Sequence, residues 1–337
     1  MKNMRDFTYE DLLENVSSLG ERPYRAAQLY RWIYGKSAPS IDAMTDISRA
    51  LRERLRRDFY IGGITAAGAL EAADGTVKMV FRLDGGLKIE SVIIAEPDRT
   101  TLCVSSQAGC ALGCAFCMTG RGGYKRDLKL SELTGQVFAA RRFLKGGAPL
   151  TNIVLMGMGE PLINYDNVVR FVNILTDERG FGYSHNRVTV STAGITPAIK
   201  RLGEDTSVNL AVSLNAPTDK LRSLLMPVNK KYPLKDLIKA LKEYPLRGKR
   251  RITIEYVLLS GVNDSDAHAR SLKKVLKGVR CKINIIPFNR FPGAAFTRPE
   301  EGRVRAFGDI LMRGGYTVVT RKSRGADIGA ACGQLKG

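Results

Sequence analysis

Three of the six cysteines in this 337-residue chain fall within eight residues, Cys110-Ala-Leu-Gly-Cys114-Ala-Phe116-Cys117. Thiols at this density are metal ligands or redox partners. A structural zinc site wants four closed ligands, usually as two paired half-sites. Here the nearest other cysteine is Cys103, and the chain has only two histidines, His185 and His268. Three thiolates on a short loop suit a [4Fe–4S] cluster. Most such clusters take four cysteines, so a missing ligand leaves one iron open to a substrate. Zinc is the alternative reading.

The loop needs a scaffold, and the chain supplies strand–helix alternation. Apolar runs predict strands at 101–105, 152–156, 188–192, 208–214, 252–257 and 282–286. Amphipathic segments at 130–143, 167–175, 234–242 and 267–279 separate them. Six such units imply parallel βα pairs, where a closed barrel uses eight. The expected fold is therefore α/β, an open, partial (βα)6 barrel over 100–300. Residues 1–60 read as a helical accessory domain, with Thr8 as an N-cap and Gly20 as a stop. Residues 61–99 read as a β-hairpin extension turning at Asp84-Gly85-Gly86. Residues 301–337 read as a helix, a strand at 316–320 and a Gly/Ala-rich tail holding Cys332.

In βα folds ligands sit at the carboxyl ends of the strands. The cysteine loop follows the first strand, and Gly157-Met158-Gly159-Glu160-Pro161 follows the second. Glycines there let backbone approach a ligand, and Glu160 is placed to accept from an ammonium or a ribose. Ser191 ends the third strand, Ser213-Leu214-Asn215 the fourth, and Asn289 follows the sixth. Each residue taken singly also reads as an ordinary strand end or helix cap. Cys103 and Cys332 read equally as structural or reactive thiols, Cys281 as an inert buried one.

Lys and Arg number 53 against 33 acids, a net charge of +20, which points to a polyanion, nucleic acid first. Exposed basic candidates are Lys125, Arg126, Lys230, Lys231 and the run Arg247-Gly-Lys-Arg-Arg251; a solvated face is the plainer reading of such runs. No apolar run spans a bilayer and no signal-peptide core precedes residue 30. Clustered cysteines do not read as a disulfide framework. A cytoplasmic protein without membrane contact is expected.

The C-x3-C-x2-C spacing with an aromatic before its last cysteine resembles the signature of radical S-adenosylmethionine (SAM) enzymes. Cys103-Val-Ser-Ser-Gln-Ala-Gly-Cys110, Met156-Gly-Met-Gly-Glu-Pro, Val190-Ser-Thr-Ala-Gly, Val212-Ser-Leu-Asn-Ala-Pro and Asp327-Ile-Gly-Ala-Ala-Cys332-Gly-Gln-Leu together narrow it. They resemble the dual-specificity radical SAM methyltransferases that make 2-methyladenosine in 23S rRNA and tRNA. The likeness begins in the helical segment Arg25-Ala-Ala-Gln-Leu-Tyr-Arg-Trp-Ile-Tyr34 and reaches the last residues. Departures are small: Met118 where a smaller residue is common, Asp127 for Asn, Asn215 where some members have His.

The resemblance implies a division of labour. Cys110, Cys114 and Cys117 hold the cluster. Phe116 lies near the SAM adenine, and Gly159, Glu160, Ser191, Ser213, Leu214, Asn215 and Asn289 bind SAM. Two SAM molecules serve each turnover, one as methyl donor to Cys332 and one as radical source. Glu90 matches the family's base and Cys103 its resolving thiol, although Glu90 alone reads as an exposed strand residue. Partners are the two RNAs and an external electron donor of flavodoxin type, with the protein a monomer. Alternatives are a sister enzyme methylating adenine C8, and a zinc-stabilised RNA-binding protein without catalysis.

Overall fold

A computed structural model describes residues 1–337. Ten strands form one sheet: β1 (Thr65–Glu71), β2 (Val77–Arg82), β3 (Lys88–Glu96), β4 (Arg99–Cys103), β5 (Asn152–Leu155), β6 (Val188–Thr192), β7 (Asn209–Ser213), β8 (Ile252–Leu258), β9 (Cys281–Pro287) and β10 (Val318–Thr320). They lie side by side in chain order. From β4 to β10 every pairing is parallel. The edges β10 and β1 do not meet, so the sheet stays open. The expected six parallel strands are present, and the C-terminal strand joins them as a seventh.

These strands read as apolar runs because both faces are covered. In β8, for example, Ile252, Ile254, Tyr256 and Leu258 are wholly buried, and the alternate Thr253 and Glu255 are buried as well. Helices Leu130–Phe143, Tyr165–Thr176, Thr196–Asp205, Leu234–Glu243, Asp266–Val275 and Glu301–Arg313 follow the parallel strands.

The expected hairpin at 61–99 is a three-stranded antiparallel extension continuous with the main sheet. β3 pairs with β4, placing Val92 opposite Cys103. The segment is therefore a wall of the central sheet. The hairpin reading missed β1, whose seven residues are all exposed and give no buried alternation to read.

The N-terminal helix Tyr9–Ser18 starts at Thr8, whose hydroxyl accepts from Asp11 N at 3.3 Å while Thr8 N donates to the Asp11 carboxylate at 2.8 Å. The following helices Tyr24–Tyr30 and Arg49–Asp58 pack in the same apolar core as the barrel helices. Ser131 N donates to Asp6 Oδ1 at 2.8 Å, and the Arg5 guanidinium stacks 4.2 Å above the Phe138 ring. No helix is long and apolar enough to cross a membrane.

Candidate active site

The cysteine loop closes on itself. Gln107–Gly109 and Tyr124–Asp127 pair antiparallel, and Gln107 Nε2 donates to Asp127 Oδ1 at 2.7 Å. Gly109 has φ +75°, and a Cβ there would lie 1.8 Å from Gly123 O. Cys110 N donates to Gly123 O at 3.0 Å, and Ala115 N donates to Leu225 O at 2.9 Å. The Asp127 departure is thus absorbed as a cross-strand partner.

The donor chemistry fits a cluster. Burial pushes the Cys110 thiol up to about 11, and nearby Glu160 and Cys117 add to it. Burial raises Cys114 as well, followed by the charges of Cys117 and Cys110. A bound metal cation favours the thiolate form of thiols that otherwise oppose one another's ionisation. No three His, Cys, Asp or Glu side chains converge on a single-ion point. Donors on one zinc stand roughly 4 Å apart.

Gly157-Met158-Gly159-Glu160 follows β5 and is bonded to the strand that feeds the cysteine loop. Ser106 N donates to Met158 O at 2.8 Å, Gly157 N to Val104 O at 3.1 Å, and Met158 N to Ser105 Oγ at 2.8 Å. A Cβ on Gly157 would meet Ser105 Oγ at 2.7 Å, and one on Gly159 (φ +96°) would meet Gln107 Cβ at 2.5 Å. The neighbouring chain alone therefore demands glycine at both positions. Glu160 accepts from Ala193 N at 2.7 Å and Leu162 N at 3.0 Å. Burial raises its carboxyl, and these bonds, with one from Thr192, pull it back. A carboxylate has about four lone-pair sites, so Glu160 retains room for a further donor.

The other strand-end residues gather at the same end of the sheet. Ser191 Oγ lies 3.4 Å from Glu255 Oε2. Asn215 has φ +58°, which asparagine tolerates. Its Oδ1 accepts from Val257 N at 2.7 Å, so it locks the ends of β7 and β8. Ser213 O and Leu214 O both accept from Arg222. Phe116 packs against the small apolar cluster containing Leu225 and Phe288.

The tail brings the remaining thiols in. Met118 N donates to Gly333 O at 2.8 Å and Thr119 Oγ1 to Leu335 O at 2.6 Å, fastening the tail to the turn after Cys117. Asn289 Nδ2 donates to Cys332 O at 3.1 Å, and Asn289 Oδ1 accepts from Ser323 Oγ. Cys332 is exposed in area, yet surrounding protein still raises its thiol by desolvation, against a lowering by Arg321. Cys103 is buried and is pushed up to about 12, first by burial and then by the neighbouring Cys332 charge.

Glu90 is not on an exposed face. It is 4 % exposed, its Oε1 lies 3.5 Å from Lys78 Nζ, and its Oε2 accepts from Lys336 N at 3.0 Å. Lys78 Nζ also reaches Gly329 O at 3.4 Å, so one buried ion pair joins β2, β3 and the tail.

Sequence reasoning missed Lys78, Arg222, Glu255 and Arg321. Arg321 Nη1 lies 3.5 Å from Glu255 Oε1. The Cys332 charge is the largest influence raising the Arg321 guanidinium. An acid inside the apolar run of β8 was a readable signal for Glu255. Among the basic candidates, Arg126 is committed to Glu132 by two bonds of 2.7 Å, whereas Lys125, Lys230, Lys231, Arg247 and Lys249 are exposed. The outward arginines of helix Arg49–Asp58 are largely spent on Asp42, Glu21 and Glu53.

Comparison with known proteins agrees with this geometry. Residues 104–272 match the model of the radical SAM superfamily, and residues 2–61 match that of the ribosomal RNA large subunit methyltransferase N-terminal domain. The chain is 49% identical over 335 residues to the dual-specificity RNA methyltransferase RlmN of Syntrophus aciditrophicus, covering 99% of this chain and 96% of that one. It is 48% identical to the protein of the same name in Anaeromyxobacter dehalogenans, covering 99% and 91%. The crystal structure of a radical SAM methyltransferase from Sphaerobacter thermophilus superposes with a TM-score of 0.93 at 45% identity, covering 100% of this chain and 99% of that one. An open parallel sheet, a three-thiol loop and likeness along nearly the whole length converge on one assignment: the chain belongs to the radical SAM superfamily and, within it, to the dual-specificity RNA methyltransferases of the RlmN type.

Proposed function

We propose that the chain methylates C2 of adenine in 23S rRNA and in tRNA, with Cys332 as carrier of the methyl group. The observation that carries this reading is the docked tail. It brings Cys332 within electrostatic reach of Cys103, Arg321 and Glu255, while the next residue is bonded to the turn after Cys117.

Adenine C2 is a poor nucleophile, so a polar methyl transfer to it fails. The cluster and SAM, when bound, supply a radical able to take hydrogen from an unactivated methyl group. Every other task falls to the chain. Cys110, Cys114 and Cys117 hold the cluster as thiolates. Phe116, Gly159, Glu160, Ser191, Ser213, Leu214, Asn215 and Asn289 surround SAM. Since Asn289 now holds Cys332 O, its service to SAM requires the tail to shift.

The Cys332 thiolate takes a methyl from the first SAM, a reaction suited to a soft nucleophile, and the Arg321 cation favours the thiolate. The target adenine is unstacked to reach Cys332. The methyl carbon bonds to C2, Glu90 accepts the C2 proton, and the single electron this leaves on the tethered RNA passes to a one-electron acceptor, a role the oxidised cluster would supply when bound. Cys103 then attacks the Cys332 sulfur. A sulfur–sulfur bond forms and the sulfur–carbon bond breaks. Its electron pair stays on carbon, which takes a proton and leaves as the methyl group. Reductant reopens the disulfide.

Exposed Lys125, Lys230 and Lys231 meet RNA phosphates. A monomer in a reducing cytoplasm, served by a flavodoxin-type donor, completes the picture.

Anaerobic turnover tests the proposal. Reconstituted protein, SAM, reductant and unmodified 23S rRNA fragment or tRNA are combined, and the digested nucleosides are separated. 2-Methyladenosine is expected. 8-Methyladenosine would move the reaction to the other carbon. SAM cleavage without a methylated adenosine would contradict the substrate.

A further inference from the structure

Arg222 is a buried cation outside any ion pair, and Asp219 is the one acid whose charge reaches it. It lies on helix Asp219–Leu225 and is 0 % exposed. Its Nε donates to Leu214 O at 3.1 Å and its Nη1 to Asn229 Oδ1 at 2.9 Å. Its Nη2 donates to Ala193 O at 2.6 Å and Ser213 O at 3.2 Å. All four acceptors are neutral. None of the chain's ion pairs involves Arg222. The acid on its own helix, Asp219, is turned to Asn229 Nδ2 at 2.9 Å and Leu234 N at 2.8 Å.

Carbonyl dipoles solvate a guanidinium without cancelling its charge. A buried charge left in that state is costly, and native proteins pair it or place it against a metal site. The surroundings of Arg222 say what pairs it. The last carbonyl of its helix, Leu225 O, accepts from Ala115 N in the middle of the cysteine loop. Cys114 and Phe116 pack against the small apolar cluster that contains Leu225 and Met226. A [4Fe–4S] cluster on three thiolates is net negative, and more so once reduced by one electron.

We propose that Arg222 is the fixed counter-charge of the iron–sulfur cluster, stabilising the cluster in its seat and favouring its reduced state. The four hydrogen bonds aim the cation by tying it to the ends of β6 and β7, so its position does not depend on the cluster being there. Consistent with this placement, burial lowers the Arg222 guanidinium to about 10, and Cys114 is the foremost charge that opposes the lowering. The influence is long-range Coulomb attraction in a water-poor site, where screening is weak. Lys is therefore an adequate substitute in charge, and Gln is not.

The test needs no turnover. Wild type, Arg222→Gln and Arg222→Lys are reconstituted anaerobically and titrated by EPR-monitored reduction, and iron loss to a chelator is timed. The expected result is a cluster potential shifted to more negative values in Arg222→Gln, with iron lost roughly tenfold faster. Arg222→Lys should stay close to wild type in both. An unchanged potential in Arg222→Gln, or an equal fall in Arg222→Lys, overturns the proposal. If Arg222→Gln does not fold, Arg222→Lys decides. With the charge kept it must hold potential and iron, and loss of either would show that the hydrogen-bond fork, not the charge, is what matters.

Discussion

The cysteine loop and the C-terminal tail are bonded to each other just after Cys117 but are built in opposite ways. The loop is local. Its three thiols sit within eight residues, and a two-stranded hairpin only a few residues away closes it. The tail is assembled from afar. Its backbone is held by Met118 and Thr119 just after the loop, by Asn289 after β9, and by Lys78 and Glu90 on β2 and β3. On the proposed function, the loop would seat the cluster and the tail would present the methyl-carrying thiol. A part that must hold a cofactor is made rigid through short-range bonds, and a part that must visit several chemical states is held by bonds that can be exchanged.

Replacing Cys114 by Ala attacks the loop alone. Iron should be lost, and SAM cleavage and product with it, while the tail stays docked. Iron content and the exchange rate of the tail amides check both halves.

Lys78→Met attacks the tail. It leaves the buried Glu90 carboxylate without its cation and cuts the bond to Gly329 O. Breaking a buried pair from one side costs about 3–5 kcal/mol. Chemical denaturation should show that loss, with faster amide exchange across 325–336 and an intact cluster. A loose cluster with a protected tail would reverse the comparison.

Gly159→Ala probes the seam between the two regions. The new Cβ would lie 2.5 Å from Gln107 Cβ, at φ +96°. A cost of about 1–3 kcal/mol is expected. It should appear in thermal melts of the cluster-free protein as well, because the clash is with the chain itself.

The smallest effect concerns pH. Burial raises the Glu255 carboxyl above its ordinary 4.5, against the pull of Arg321. A raised folded value means the folded state holds its proton more tightly. Stability from this group is therefore complete below 4.5 and is lost as pH rises through the folded value. Glu255→Gln removes that loss, so the melting temperature of the variant relative to wild type should climb with pH above 4.5. A constant difference would remove Glu255 from the pH dependence.

The comparison also explains what the sequence made legible. Strands covered on both faces read as apolar runs, so the parallel sheet was visible in outline. Cysteine spacing is local and gave the loop. Helix Asp219–Leu225 was invisible because it spans only seven residues, and with it Arg222. The tail's docking was invisible because it uses backbone carbonyls, which every residue has. The glycines after β5 were visible as a point of close approach, but not the neighbour that crowds them. Their spacing marks close approach, and only the fold reveals that the approaching group is the Ser105–Gln107 backbone. Glu90 was ambiguous until β2 supplied Lys78 across the strand pair.

The most direct measurement is peptide mass mapping of the reconstituted protein after anaerobic incubation with SAM, before RNA is added, beside Cys103→Ala incubated with RNA. The account predicts one methyl group on the peptide containing Cys332, and in Cys103→Ala a covalent protein–RNA adduct through that same residue. Methylated RNA formed while Cys332 stays unmodified, or clean turnover by Cys103→Ala, would contradict it.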